Sequence, residues 1–386
     1  MRKNGLPVDV ADFSLAPSIP SRAIREFRRI PRPDLARAEF VEQLRRFIRQ
    51  GEHDMLIPTD DQTLTAVTEH YGDFTDMLHV ACPPPPITRL ILNKASTLEV
   101  AKRCGVRVPN TVVVSNSSQF ADLIRDFPFP WVLKPSEKET RMEETKSYVL
   151  ATADEVARRF PTAREFTPPM LLQEYIAGAG VGVEMLMHEG NCLAVFQHRR
   201  LKELPYTGGV SVTAVAEHPD PLLVESSLAL LRALRWEGVA MVEFKVNPNN
   251  GSAVLMEVNG RYWGTISLPV SAGVDFPWYH WQVAHGEQPE IPVAYSAGLK
   301  WRFTVGYLER LYGLLAVARQ SAAARGELYE SLLQLPEDFG VEVRDATLTL
   351  ADLMPSVDLF LRAAKYFVSH SVSALLKSSA PGSQST

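Results

Sequence analysis

Cysteine is scarce in this chain of 386 residues. Cys82, Cys104 and Cys192 are the only three, and they lie far apart. No disulfide framework and no metal-type cysteine spacing can be built from them, so they read as reduced, buried thiols of a reducing compartment. Long apolar runs are missing too: none reaches the ~20 residues that a membrane-spanning helix needs. Around Arg2, Lys3, Asp9 and Asp12 there is no apolar stretch of the secretory-signal kind, and the cytoplasm is the expected location. Neither charge sign dominates. With 40 Lys and Arg against 45 Asp and Glu the net charge is −5, which gives no footprint for nucleic acid. Basic runs at Arg22–Arg29 and Arg45–Arg49 read as solvated helix faces. No internal repeat is visible. What is present, 46% hydrophobic and 22% charged residues, suits a globular enzyme with two or three packed subdomains.

The most informative stretch is Gly238–Thr265, GVAMVEFKVNPNNGSAVLMEVNGRYWGT. Two apolar, β-branched runs, 239–246 and 253–258, flank Asn247-Pro248-Asn249-Asn250-Gly251. Pro fixes φ while Asn and Gly accept φ > 0, so the pattern predicts a β-hairpin. Folding it symmetrically about Asn250 sets Glu243 opposite Glu257, where like charges repel. Strand alternation puts Glu257 and Asn259 on one face, with Arg261 following if the strand continues. Two readings stand at this point. The charged face is simply solvated, or it holds a hard divalent cation such as Mg²⁺, which takes one or two carboxylates plus substrate phosphates.

The first 35 residues, rich in Pro and Arg, are expected to wrap the surface. Phe40, Val41, Leu44, Phe47 and Ile48 have helical spacing. The strand Met55-Leu56-Ile57 leads into Thr59-Asp60-Asp61 and a helix over 62–71, a β–α step of an α/β sheet. Thr59 to Asp61 either cap that helix or present binding groups at the strand's carboxyl end. Pro83–Pro86 mark a boundary, since they fit neither a helix interior nor a central strand. A helix is expected over 93–104, closed by Gly105. Strands are expected at 111–114, 129–135, 170–176, 181–188 and 192–196. Helices are expected at 117–126, 154–160, 221–234, 267–274 and 277–285. The charged segment Ser136–Ser147 is a flap or a solvated hairpin tip. A basic cluster, His198-Arg199-Arg200-Leu201-Lys202, precedes a small-residue loop, Thr207–Ser211. Farther on, 300–302 reads as a strand, 305 to about 325 and 357–376 as helices, and 378–386 as a frayed tail.

The order of these motifs resembles the ATP-grasp superfamily over roughly 57–300. Five stations carry the resemblance: Asn93-Lys94-Ala95 through Cys104-Gly105-Val106-Arg107-Val108-Pro109; Trp131-Val132-Leu133-Lys134-Pro135; Gln173-Glu174-Tyr175-Ile176; Val242-Glu243-Phe244; and Met256-Glu257-Val258-Asn259-Gly260-Arg261. Within the superfamily the chain looks most like the carboxylate–amine ligases and the biotin-carboxylase and carbamoyl-phosphate-synthase grouping. The resemblance implies an α+β fold in which two subdomains clasp ATP. It implies a pre-ATP-grasp domain over 1–90 and an ATP-grasp domain over 91–300, with a lid at about 110–176. A mostly helical region, 301–386, follows. Lys94 and Lys134 would contact phosphates, although ordinary helix decoration also accounts for Lys94. Gln173, Glu174, Tyr175 and Ile176 would be the adenine hinge. Glu243, Glu257 and Asn259 would bind Mg²⁺, or Mn²⁺ in its place, and Arg261 would stabilise the transferred phosphoryl group.

Two departures accompany the resemblance. Where the family often has a Gly-rich flap, this chain has Ser136-Glu137-Lys138-Glu139-Thr140-Arg141. The acidic residue that often holds the ribose aligns with Gly180, leaving Glu184, on the same strand face, as its substitute or as an unrelated residue. The implied reaction is ADP-forming ligation of a small carboxylate to an amine through an acyl phosphate. Lys202, Arg199, Arg200 and Arg261 would anchor the carboxylate, and Tyr262 and Trp263 would shape the pocket or pack the core. A phosphotransferase or carboxylase on the same scaffold, and a non-catalytic nucleotide-binding scaffold, are the alternatives. For the C-terminal helices three roles stay open: completing the substrate site, forming a homodimer face, or holding another partner.

Overall fold

The asparagine, proline and glycine cluster at 247–251 does make a turn, and the two strands it joins, Gly238–Val246 and Ala253–Asn259, are antiparallel. Around this hairpin a computed structural model describes residues 4–13, 21–138, 147–349 and 351–364. The chain divides into two units. One comprises Ile30–Leu201 and Ala214–Leu299; the other comprises Met1–Arg29, Lys202–Thr213 and Lys300–Thr386.

In the larger unit the helix Arg37–Gln50 buries Phe40, Val41, Leu44, Phe47 and Ile48, the stripe its spacing predicts. The strand Met55–Leu56 pairs in parallel with His79–Val80. Asp60 caps the helix Asp61–Glu69 by accepting a hydrogen bond from the Thr63 N–H. The proline run ends in a helix, Pro85–Leu92, with proline in its first turn. There the missing N–H is one the helix could not use. Asn93 caps Lys94–Arg103, and Gly105 closes it with φ +74°.

Two sheets follow. The smaller has the order Thr111–Asn116, Glu165–Glu174, Trp131–Pro135, Tyr148–Leu150, all antiparallel. It has its own core, built from Val114, Phe120, Trp131, Leu133 and Leu172. In the other, Ala253–Asn259, Gly238–Val246, Ala179–His188 and Asn191–Leu204 are successive antiparallel neighbours. Its register sets the site. Gly182, Glu243 and Glu257 form one row across three strands, and Glu184, Met241 and Asn259 form the next. Directly paired residues share a face, so this face carries Glu184, Glu243, Glu257 and Asn259 together. The symmetric hairpin register holds from Met241 to Glu243 and slips by one residue at a bulge between Glu243 and Phe244.

The smaller unit contains a parallel pair, Val8–Asp12 with Ile24–Arg29. The early residues are therefore a paired ribbon over these ranges, and the basic run at 22–29 lies mostly on a strand, not on the helix face expected of it. Lys300–Arg302 pairs in parallel with Arg344–Asp345. The single helix expected from 305 is two helices, Thr304–Val317 and Ala322–Leu333. Ser321 caps the second one through the Ala324 N–H, which is the local reason for the break. A further helix occupies 354–364; the rest of the one expected over 357–376 lies outside the described residues.

No helix among the described residues is long and apolar enough to cross a membrane. All three cysteines are free, but only Cys82 is buried; Cys104 and Cys192 are partly exposed, against the expectation. Most of the expected flap, 139–146, lies outside the described residues.

Candidate functional site

The hairpin brings three polar side chains together. Asn259 Nδ2 donates to Glu243 Oε1 at 2.7 Å and lies 3.4 Å from Glu257 Oε1. Asn259 is buried and Glu257 is partly exposed. Two carboxylates set side by side are held by cations. Arg200 lies 2.5 Å from Glu243 Oε2, and Lys138 Nζ lies 4.0 Å from Glu257 Oε2. The same ammonium donates to Asn259 Oδ1 at 2.9 Å and to the Val258 carbonyl at 2.6 Å.

The lysines come from the helix Lys94–Arg103, the strand Trp131–Pro135 and the bend that follows that strand. Main-chain contacts tie the Lys94 and Lys138 stretches together. The Lys94 N–H donates to Ser136 O, the Lys138 N–H donates to Leu92 O, and Asn93 forms a β-bridge with Glu137. Lys94 Nζ donates to the carbonyls of Pro135 and Glu137 at 3.1 and 3.3 Å. Burial lowers its pKa to about 8, Lys134 and Lys138 act in the same direction, and Glu257 and Asp61 oppose them. Lys134 is likewise held below its usual range by burial, against the pull of Glu257 and Glu243. Burial pushes Glu257 up, but Lys138, Lys134, Lys94 and Arg261 overcome it and bring its pKa down to about 2. Glu257 is therefore an anion at any physiological pH.

Arg261 is held from another element. Its NH2 lies 2.9 Å from Asp61 Oδ2, at the first position of the helix Asp61–Glu69. Burial opposes the charge of Arg261, yet Asp61 and the two glutamates raise its pKa above the usual value. Asp61 Oδ1 is buried without a hydrogen-bond partner among the described residues. In all, Lys94, Lys134, Lys138, Arg200 and Arg261 surround Asp61, Glu243 and Glu257. With Glu184 of the same face paired apart with His198, five cations against these three carboxylates leave a surplus of two positive charges around Glu243 and Glu257 among the described residues. The surplus suits a polyanionic ligand.

The segment Gln173–Ile176 ends a strand of the smaller sheet. The Gln173 side chain is turned inward and donates to Thr111 Oγ1 at 2.8 Å. The N–H groups of Glu174 and Tyr175 are taken by the carbonyls of Asn110 and Pro130. That of Ile176 has no main-chain partner among the described residues.

Three sequence expectations change. Arg199 projects from the opposite sheet face to Arg200, because strand neighbours alternate and the strand runs on to Leu204. There it pairs with Glu217 Oε1 at 2.5 Å. Lys202 belongs to the smaller unit, where its ammonium is held by Asp338 Oδ2 at 2.7 Å and Gln334 Oε1 at 2.6 Å. It is a buried structural cation with no free charge to offer a substrate. Glu184 is fully buried and bonded to His198 Nδ1, so it presents no oxygen to a ribose. Burial raises its pKa against the pull of His198. Gly182 makes room for that pair, since a Cβ there would lie 2.6 Å from the His198 ring. Tyr262 and Trp263 pack inward, and Tyr262 meets His280 Nδ1 at 3.1 Å.

Sequence reasoning underrated Lys138 and Asp61. Lys138 was visible only as part of a charged run, and Asp61 only as one of several strand-end polar groups. Among the described residues no three His, Cys, Asp or Glu side chains gather as a metal cluster. The donor set is two carboxylates and an amide oxygen. That set fits a hard divalent ion whose remaining ligands are phosphates and water. A small cavity lined by Leu133, Tyr148, Phe160, Phe166, Thr167 and Met170 contains none of these charged groups.

Comparison with known proteins agrees with the motif order. Residues 166–305 match a family model described as ATP-grasp in the biosynthetic pathway with Ter operon. The carbamoyl phosphate synthase large chain of Clostridium acetobutylicum is 23% identical over 163 residues, 40% of this chain and only 15% of that protein. Among solved structures, N5-carboxyaminoimidazole synthetase from Staphylococcus aureus complexed with ADP has a TM-score of 0.59 at 12% identity, covering 78% of this chain and 75% of that one. L-amino acid ligase from Bacillus licheniformis has a TM-score of 0.51 at 17% identity, covering 68% and 63%. At such identities the structural likeness establishes the fold.

Proposed function

We propose, from the ATP-grasp fold shared with solved structures and from the family match over 166–305, that the chain is an ADP-forming ligase that joins a small-molecule carboxylate to an amine. One observation carries the reading: the surplus of two positive charges around Glu243 and Glu257. It is equal and opposite to the charge of a magnesium–ATP complex.

On this reading Lys94 and Lys134 bind phosphate oxygens as compact point charges. Glu243, Glu257 and Asn259 would hold Mg²⁺, or Mn²⁺, whose charge would offset the negative charge of the phosphates. The adenine lies against Gln173–Ile176. The Ile176 N–H and the Glu174 carbonyl are the groups placed to read it, since the N–H groups of Glu174 and Tyr175 are already used. Arg261, oriented by Asp61, faces the phosphoryl group in transfer.

A carboxylate oxygen attacks the γ-phosphorus, the bond to the β-phosphate oxygen breaks, and ADP leaves. The amine then adds to the acyl carbon, loses a proton and expels phosphate, leaving an amide. No side-chain nucleophile is needed, because the site works by positioning and charge neutralisation. Of the four carboxylate anchors expected from the sequence, Arg200, on the same face as Glu243, and Arg261 are the two that stand beside the hairpin carboxylates. Residues 1–90 form the pre-ATP-grasp domain on this reading, 91–300 the ATP-grasp domain, and 301–386 a helical C-terminal region.

The test is ADP release measured over a panel of carboxylates crossed with amines, with Glu257→Gln as the control. At least one acid–amine pair should stimulate metal-dependent ADP formation by wild type and not by the variant. ADP formed with the acid alone, with a stable phosphorylated product, would replace the ligase by a kinase.

A further inference from the structure

Lys138 sits where a divalent cation would need to sit. Its ammonium touches the Val258 carbonyl and Asn259 Oδ1 at 2.6 and 2.9 Å, and it faces Glu257 Oε2 at 4.0 Å. The side chain is only 4% exposed. Its backbone is fixed by the Lys138 N–H to Leu92 O bond and by the neighbouring Asn93–Glu137 bridge. The contact is therefore held by main-chain geometry and is not a chance rotamer of a surface lysine. Through Asn259 it extends to the other carboxylate, because the same amide donates to Glu243 Oε1.

We propose that Lys138 is the protein's own counter-ion for Glu257 and Asn259, exchanged for the divalent cation when a metal–nucleotide complex binds, and that the displaced ammonium then joins Lys94 and Lys134 on the phosphates. The inference rests on the nucleotide reading above. An ammonium and a divalent ion cannot share one carboxylate–amide pair at contact distance without strong repulsion. The four-carbon stem lets the ammonium swing while the backbone stays anchored. Lys94 and Lys134 act on the same Glu257 carboxylate as Lys138 does, so the three ammonium groups share one charged neighbourhood.

Two consequences follow for binding. Free metal has to displace an internal cation and binds weakly by itself. With nucleotide, the phosphates receive the displaced ammonium, so metal and nucleotide reinforce each other, a positive coupling between the two ligands. The described part of the segment after Lys134, Pro135 to Lys138, contains no glycine. A side-chain ammonium thus supplies there what a glycine-rich stretch would supply with N–H groups.

The experiment is a Mn²⁺ titration, read by electron paramagnetic resonance, of folded nucleotide-free wild type, Lys138→Met, Lys138→Gln, and the double variant Lys138→Met with Glu257→Gln. Binding of a non-hydrolysable ATP analogue is measured alongside at saturating Mn²⁺. Removing the lysine should tighten free Mn²⁺ binding at least tenfold, and the added Glu257→Gln should abolish that gain. Analogue binding should weaken at least tenfold in both single variants. Unchanged, weaker or undetectable Mn²⁺ binding in the lysine variants, with nucleotide binding by wild type intact, would overturn the role of Lys138 alone. Tighter Mn²⁺ with no nucleotide bound by any protein would overturn the exchange and the nucleotide reading together.

Discussion

Both units of this molecule bury charged side chains, but they do so in opposite ways. In the smaller unit Lys202 is bound by Asp338 and Gln334, and Tyr307 donates to the same Asp338 carboxylate at 2.8 Å. Arg310 reaches Ser331, Glu327 and the Glu203 carbonyl, and Arg302 reaches Asp345 and the Asp338 carbonyl. Three cations meet three carboxylates, and none of these side chains leaves a buried polar atom unsatisfied. In the larger unit, Glu184 of the hairpin face is paired with His198, while five cations stand around Asp61, Glu243 and Glu257, and Asp61 and Glu184 each keep a buried oxygen without a partner among the described residues. A neutral, fully bonded network is what a fold needs. An unbalanced one is poised for a ligand that restores the balance.

The sharpest way to break this contrast is in the smaller unit. Asp338→Ala leaves Lys202 and the Tyr307 hydroxyl without their carboxylate inside the protein. Removing one partner of a buried ion pair costs about 3–5 kcal/mol. Urea unfolding of the variant should show a loss of that size, and a loss below about 1 kcal/mol would mean that the network is not structural.

Next comes Glu257→Gln in the larger unit, where the main loss should be functional. Turnover should fall by about 10²–10³-fold, the scale seen when a preorganised electrostatic group is removed. The pKa of Glu257, held at about 2 where a free glutamate has about 4.5, means that its charge also stabilises the fold. Because the folded value is depressed, that contribution is present above pH 4.5 and disappears as pH falls toward 2. The variant should therefore be modestly less stable at neutral pH and should lose this extra acid sensitivity. A variant as active as wild type would place Glu257 outside the chemistry.

The adjacent arginines give a smaller and more local comparison. Arg200→Ala should lower turnover about 10-fold or more through the site face. Arg199→Ala, on the other face in a pair that is partly exposed, should change stability by less than about 1 kcal/mol and turnover by less than about twofold. Equal effects in steady-state assays would contradict the assignment of faces.

A pH-dependent comparison concerns Lys94, whose pKa is lowered from 10.5 to about 8. A lowered lysine pKa means that folding disfavours its charge. Relative to Lys94→Met, wild type should gain stability as pH rises from about 8 to about 10.5 and show no further gain beyond. Parallel melting curves across that range read the difference, and a constant offset between the two proteins would refute the shift.

Much of this contrast was legible in the sequence on the hairpin side. The turn chemistry of 247–251 fixed the pairing of Glu243 with Glu257, and alternation placed Asn259 on their face. The bulge at Glu243 and Phe244 was not legible, since the length of the turn was not known. The basic cluster misled for a definite reason. Residues 198–202 read as a patch following a strand that ends at Phe196, whereas the strand continues to Leu204. Once it continues, Arg199 and Arg200 must face opposite ways. Lys202 could not be assigned locally, because its partner Asp338 is 136 residues away. Glu184 shows the same limit: burial and the partner His198 decide its role, and both depend on the sheet register. Lys138 and Asp61 became visible only when three elements met. Neither residue has a spacing of its own that signals the hairpin.

The central claim is that the unbalanced cations of the hairpin face bind a metal–nucleotide complex. Calorimetry of magnesium–ATP binding to wild type and Lys134→Met tests it most directly. The Lys134 side chain makes no hydrogen bond or ion pair among the described residues, and it lies in a strand whose Trp131 and Leu133 supply the core. Wild type should bind one magnesium–ATP per chain, and Lys134→Met should bind at least tenfold more weakly with a melting temperature no lower than that of wild type. Folded wild type that binds no magnesium–ATP, or a folded Lys134→Met that binds it equally well, would contradict the account.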